Sequence, residues 1–304
     1  MKMKLSLGFF RSAIDRSWKN MHAVCGLPTC PNTLIMRSVA QSQVGLRVGD
    51  LWYCSVDCFA GAALTRFSAL SRGRIVEMPH NPRLSLGLVM LSKGFLTDDQ
   101  LRLAMTESQL RGEELEVSLL RLGLVNERQV TAARASQWGY PLLGRDRVGQ
   151  SVEADVPPTL LRGCSAAPLH YSATTNRLLL GFVNRVEHSL LDALEQITGC
   201  RVEPCFITPT EFREQTARLT AAPGYEEIFL EAPLTPSQMA KAIGGFAVEI
   251  AAKEGSFTRY RNYVWTRLTG KRRKIDVLFR DGIAAESGRR RNSLLVEEKM
   301  SFLG

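Results

Sequence analysis

Between residues 85 and 137 the apolar positions recur with a helical period, and they do so twice. Shifting the chain by about 29 positions lays Leu86 on Leu115, Gly94 on Gly123, Leu96 on Val125, Leu101 on Val130 and Ala104 on Ala133. Each copy reads as a short apolar helix, a glycine stop and a second helix. Leu86 to Leu91 runs into Lys93-Gly94, a cation in the last turn followed by the residue type that ends a helix. Thr97 stands three residues before Gln100, and Asn126 three before Gln129. That is the pattern of a capping box, in which side chain and backbone satisfy each other's orphan groups. The two helix pairs predict a four-helix bundle over residues 83–138.

Beyond Trp138-Gly139-Tyr140-Pro141 the period changes. Ala167 to Tyr171 and Arg177 to Val183 read as strands around a polar turn at Ala173-Thr174-Thr175-Asn176. Leu190, Leu191, Leu194 and Ile197 share a helix face that stops at Gly199. Arg201 to Ile207 reads as a third strand, and Thr208 or Thr210 as the cap of a last helix. Residues 139–220 therefore predict a small α/β subdomain. Residues 221–234, with Pro223-Gly224 and Glu226, Glu227 and Glu231, read as a linker. From Thr235, an N-cap, the apolar residues Met239, Ile243, Phe246, Ala247 and Ile250 recur at helical spacing. Phe257, Tyr260, Val264, Trp265 and Leu268 read as a second helix, followed by a strand at Ile275 to Phe279. A mainly helical C-terminal unit is expected over residues 235–281.

Near the start of the chain the informative residues are cysteines. Cys25 and Cys30 bracket Gly-Leu-Pro-Thr, and Cys54 and Cys58 bracket Ser-Val-Asp. Between the pairs, Val44 to Val48, a Gly49-Asp50 turn and Leu51 to Tyr53 predict a hairpin. Ser55 then caps a helix with Phe59, Ala62, Ala63 and Phe67 on one side. Two cysteine pairs joined by a hairpin and a helix start resemble a treble-clef zinc site. Zinc takes four thiolates in a tetrahedron, and a closed set of four leaves no position for substrate. Residues 21–70 are thus expected to form a zinc-binding module whose ligands are Cys25, Cys30, Cys54 and Cys58, with a structural metal. Cys164, Cys200 and Cys205 lie on or beside apolar segments and read as core residues.

The rest of the chain is punctuation. Residues 1–20 begin with Lys and apolar residues, but Arg11 cuts the run and no small-residue cleavage site follows. They read as a flexible amphipathic segment of a cytoplasmic protein. Residues 71–82 read as a linker and residues 282–304, with Arg289-Arg290-Arg291, as a disordered tail. The fold class expected is α+β and multidomain: zinc module, tandem-repeat bundle with α/β subdomain, and helical C-terminal unit.

Composition narrows this only a little. With 45% apolar and 23% charged residues the 304-residue chain is ordinary for a globular protein. No apolar run reaches the roughly 20 residues of a membrane span. The net charge of +9 permits an acidic partner. Much of the excess falls between Arg259 and Arg280, with Tyr260, Tyr263 and Trp265 interleaved. That pattern suits either a nucleic-acid surface or a solvated basic face over an aromatic core.

The tandem stretch resembles the N-terminal domain of type II secretion and type IV pilus assembly ATPases. In the cyclic-di-GMP-binding members this domain carries a leucine-, glycine- and glutamine-marked motif in tandem. The resemblance puts copy one over residues 85–108 and copy two over residues 114–137. It implies nucleotide-binding roles for Arg83, Leu86, Gly87, Gly94, Leu101, Leu115, Gly123 and Gln137. The chain departs from the motif at polar positions: Ser85 and Glu114 stand for the arginines and Glu116 for the second glycine. Two carboxylates would repel a phosphodiester, and a Cβ at position 116 occupies space the backbone should leave open.

The motor that follows this domain in those ATPases needs Gly-x-x-x-x-Gly-Lys-Ser/Thr to cradle phosphates. Thr269-Gly270-Lys271 lacks the first glycine and the hydroxyl residue. The four histidines are scattered, and no nucleophile elbow or His-Glu-x-x-His run occurs. The sequence predicts a non-catalytic adaptor or regulator that docks on a secretion, pilus or signalling partner. Two alternatives stand beside it: a cyclic-di-GMP sensor, and a zinc-containing nucleic-acid-binding protein.

Overall fold

A computed structural model describes residues 22–30, 35–36, 45–72, 84–144, 156–219 and 224–282. In chain order the elements are β1 (His22–Ala23), β2 (Ile35–Met36), β3 (Leu46–Val48), β4 (Leu51–Tyr53) and α1 (Val56–Arg72). The bundle helices follow as α2 (Leu86–Ser92), α3 (Asp98–Arg111), α4 (Leu115–Arg121) and α5 (Glu127–Trp138). Then come α6 (Pro158–Gly163), β5 (Ala166–Ser172), β6 (Arg177–Phe182), α7 (His188–Thr198), β7 (Arg201–Phe206) and α8 (Pro209–Arg218). The chain continues through β8 (Tyr225–Leu234), α9 (Pro236–Glu249), β9 (Glu254–Tyr260), β10 (Tyr263–Thr269) and β11 (Lys274–Asp281). Arg83, the linker around residues 73–82, the N-terminal segment 1–20 and the tail from 283 lie outside the described residues. The α+β class holds. No described helix is long and apolar enough to cross a membrane.

These elements form two compact units. The second unit is one stretch, Ile75–Ala222, and the first is built from the two flanking segments, Met1–Arg74 and Pro223–Gly304.

In the second unit the repeat folds as its local signals dictate. Both capping boxes form: Thr97 with Gln100, and Asn126 with Gln129. Gly94 and Gly123 adopt φ of 68° and 65°, which only a residue without Cβ takes cheaply. At each stop the residue after the glycine bonds back into the helix, Phe95 to the Met90 carbonyl and Leu124 to the Leu119 carbonyl. Met90, Ala104, Leu119 and Ala133 are fully buried at the centre of the bundle. The α/β half carries the sheet β5-β6-β7, with β6 antiparallel to β5 and parallel to β7. Thr208, with Glu211 as its box partner, caps α8.

In the first unit three expectations are overturned. Residues 254–269 form the two strands β9 and β10, not a second helix. The turn between them is only Arg261-Asn262, with Arg261 at φ 50°. Val264, Thr266 and Leu268 point to one face and Trp265 and Arg267 to the other, yet all five are buried. With both faces covered, the alternation that marks a strand vanishes, and the apolar spacing also fits a helix. Residues 225–234 are a strand, β8, where a linker was expected. The cysteine module and the C-terminal unit are also not separate. β3 lies parallel to β9, giving one six-stranded sheet of order β4-β3-β9-β10-β11-β8. One core joins Phe59 and Phe67 of α1, Met239 and Ile243 of α9, and Val264, Ile275 and Phe279 of the sheet.

Candidate metal centre and the tandem-repeat bundle

The four cysteines of the first unit are brought together by backbone that has few alternatives. Cys25 bridges in parallel to Trp52, and the Gly26 N–H donates to the Trp52 carbonyl at 2.7 Å. The chain then turns, with the Cys30 N–H donating to the Leu27 carbonyl at 3.0 Å. Cys54 leaves the end of β4, and Cys58 lies in the first turn of α1. Ser55 caps that turn, its Oγ accepting from the Cys58 N–H at 3.2 Å. Gly45 holds the hairpin close at φ 105°; a Cβ there would fall 2.5 Å from both Trp52 Nε1 and the Tyr53 carbonyl oxygen.

The four Sγ atoms lie within 4.8 Å of one another. Three of the separations are 3.5 Å (Cys30–Cys54), 3.6 Å (Cys54–Cys58) and 3.5 Å (Cys58–Cys30). A disulfide would need about 2.05 Å. Thiolates each about 2.3 Å from a tetrahedral zinc stand roughly 3.8 Å apart, so the set has the right size. All four are buried. Burial, reinforced by the neighbouring thiols, pushes the Cys54 thiol up to about 12. Burial also pushes Cys25 up, but N–H groups of Cys54 and Leu27 with the thiols of Cys30 and Cys54 outweigh it and hold Cys25 below its ordinary value. Four buried sulfurs in contact could all become thiolates only with a cation to balance them. The donor set is closed, soft and tetrahedral in proportion, which fits zinc in a structural role.

In the bundle, the residues singled out for nucleotide binding separate into three groups. Gly87, Leu101 and Leu115 meet in the interior: a Cβ at Gly87 would lie 2.9 Å from Leu101 Cδ1 and 3.5 Å from Leu115 Cδ2. Leu86 packs partly buried against the same core. Gly94 and Gly123 turn the backbone, with open space where a Cβ would stand. Gln137 differs, because its amide donates to the Leu84 carbonyl. With Leu84, Val89, Ser92, Lys93 and Ser136 it lines a cavity of about 340 Å³.

The nearby cations are mostly engaged. Arg121 binds Glu107 and Glu113, at 3.2 and 3.0 Å, and Arg111 binds Glu107. The Ser118 hydroxyl and Arg121 hold the Glu113 carboxyl below the usual range. Glu116 pairs with Arg134, which also donates to the Val183 carbonyl at 3.0 Å. Burial pushes the Glu116 carboxyl up, Arg134 opposes this, and the neighbouring Glu114 adds to it.

No family model matches the chain. Over 154 residues, half of this chain, it is 29% identical to the type IV pilus assembly ATPase PilB of Thermus thermophilus. The two are homologous over that stretch. The chain spans 17% of the length of PilB. Among solved structures, MshE with cdg (cyclic-di-GMP) is similar over 45% of this chain and all of that one, at 20% identity and TM-score 0.37. The N-terminal domain of XpsE is similar over 45% of this chain and 94% of that one, at 24% identity and TM-score 0.33.

The second unit includes contacts that have no signature in the sequence. The repeat offset that lays Leu86 on Leu115 also lays Gly87 on Glu116 and Met105 on Arg134. The second copy has changed both members to charges, and the structure pairs them. Glu127 of α5 accepts from the Thr210 hydroxyl at 2.8 Å, and Arg128 donates to Glu211 at 3.3 Å and the Leu143 carbonyl at 3.1 Å. The helical and α/β halves of the second unit are thus joined along one helix. The groove there, about 740 Å³, is lined by three glutamates against Arg128 alone, which disfavours an anionic ligand.

Proposed function

We propose that this chain is a non-catalytic docking module, related to the N-terminal part of secretion and pilus ATPases, that presents its tandem bundle to a protein of a secretion, pilus or signalling system. The observation that carries this reading is the homology of half the chain to PilB. The surface supports it. Of the twelve large apolar side chains exposed among the described residues, seven lie between Leu84 and Leu120, on or beside α2 to α4. Apolar exposure concentrated on one small element group supports a contact surface there. A photo-crosslinking residue placed at Leu103 or Leu110 in the full chain should capture an identified component of such machinery in cells. Capture of none, with efficient labelling of solvent-borne quenchers, would overturn the reading.

A second reading, binding of a cyclic dinucleotide, is favoured by the cavity that gathers Lys93 and Gln137 at the end of α2. It predicts micromolar binding of cyclic-di-GMP by calorimetry, weakened at least tenfold by Lys93→Ala, with GTP and ATP silent. Absence of heat at high ligand leaves the repeat as a packing module. The nucleic-acid reading finds little support in the C-terminal strands. Tyr260 and Trp265 are buried rather than open for stacking, Arg267 is bonded to Asp276, and Arg273 to Glu226 and Glu249. For the cofactor, the reading is one structural zinc held by Cys25, Cys30, Cys54 and Cys58.

A further inference from the structure

The first unit is built from two stretches of chain that flank the second. Its two chain segments are interdependent. The N-terminal one contributes two strands of three residues, β3 and β4, and a hairpin of that size is not stable alone. Its pairing with β9 covers only Arg47↔Glu254 and Val48↔Gly255. Its helix α1 buries Phe59 and Phe67 completely; the Phe59 ring lies 6.4 Å from Tyr53 of the same segment, and both phenylalanines also pack on rings of the C-terminal segment. Phe59 stacks on Phe257 at 5.8 Å, and Phe67 meets Phe257 at 5.3 Å and Phe279 at 5.6 Å edge to face. Gly255 lies so close that a Cβ would approach Phe59 Cε2 to 3.3 Å. Conversely, β9, β10 and β11 rely on α1 and α9 to cover the face that carries Val264, Leu268, Ile275 and Val277.

The position and direction of α1 are set at its first turn, where Cys54 and Cys58 stand on either side of the cap Ser55. Cys30 fastens the preceding turn to the same point. A tetrahedral metal there fixes the turn, the hairpin and the helix start with respect to one another. The cysteines belong to the same continuous core as the C-terminal strands.

We propose that the metal closes a discontinuous unit. Zinc bound by Cys25, Cys30, Cys54 and Cys58 governs the folding of residues 225–281, far downstream, while the intervening second unit folds without it. This rests on the zinc reading, so metal content is measured independently of folding. Linkage is reciprocal: if the metal stabilises the C-terminal strands, those strands must stabilise the metal.

The experiment is hydrogen exchange on the full chain, read by mass spectrometry, before and after removal of zinc by a strong chelator. Zinc is counted by elemental analysis in each sample. The expected result is joint loss of protection in α1 and in β9 to β11, with α2 to α5 and β5 to β7 unchanged, and recovery of both on adding zinc. A second variant does not touch the ligands. Phe257→Ala should weaken zinc at least tenfold in competition with a chromophoric chelator. Leu119→Ala, in the core of the second unit, should leave zinc affinity unaltered. Zinc loss with β9 to β11 still protected, or Phe257→Ala without effect on affinity, overturns the coupling. Purified chain without zinc overturns the metal reading and the coupling with it.

Discussion

Cys58→Ser is expected to strip the chain of zinc and to unfold the first unit at ordinary temperature. A structural zinc in a four-thiolate site contributes on the order of 10–16 kcal/mol of apparent binding free energy at neutral pH. A domain's whole stability is typically only about 5–15 kcal/mol. Serine keeps the size of the side chain but presents no soft anion. It also leaves a hydroxyl and three sulfurs, Cys25, Cys30 and Cys54, buried without the charge that balanced them. Thermal unfolding followed by circular dichroism should lose the transition of the first unit and retain that of the second, and elemental analysis should find no zinc. Cys205→Ser is the matched control. That thiol is equally buried, but it lies in the apolar core of the second unit and donates to the Leu180 carbonyl at 3.7 Å. It should cost about 1–2 kcal/mol and leave zinc in place. A Cys58→Ser protein that keeps its zinc and its unfolding midpoint would remove the metal from the account.

What could be read from the sequence follows a physical division. The tandem bundle was readable because its determinants are local. A capping box spans four residues and a glycine stop spans one, and both sit in each copy. The cysteine cluster was readable because two close pairs around a hairpin bring four sulfurs together almost whatever the rest does. The joining of the first unit was not, because the β3–β9 register is set by contacts such as Phe59 on Phe257 that have no local signature. The three glutamates of β8 suggest solvent and hide its strand character. In the structure Glu226 pairs with Arg273 while Ile228 and Leu230 pack on the core. From sequence alone Glu116 is a carboxylate at a ligand position, whereas in the fold Arg134, eighteen residues on, answers it. A charge can be judged only with its partner, and that partner lay across the bundle.

The same lesson applies, with the larger energy, to Asp276. It is fully buried at the centre of the sheet, directly opposite Arg267 on β10. The guanidinium grips both carboxylate oxygens, Nε to Oδ1 at 2.7 Å and a terminal nitrogen to Oδ2 at 2.6 Å. The Tyr225 hydroxyl donates to Oδ2 at 2.7 Å. Asp276→Ala would take away both carboxylate oxygens that the buried guanidinium grips, and breaking such a pair from one side costs about 3–5 kcal/mol. The first unit should therefore unfold far below the wild-type temperature. Replacing both partners, Arg267→Met with Asp276→Leu, should recover most of the loss, since no charge is then stranded. Equal damage from the single and the double change would mean that shape, not charge, is decisive here. Tyr225 adds a pH signature. Burial first, and then the Asp276 carboxylate, push its phenol above the ordinary value of 10. A group raised on folding stabilises fully below its unfolded value and loses that contribution as pH rises through the folded one. The first unit should thus weaken above about pH 10, and Tyr225→Phe should flatten that alkaline limb of the stability curve while costing about 1 kcal/mol at neutral pH.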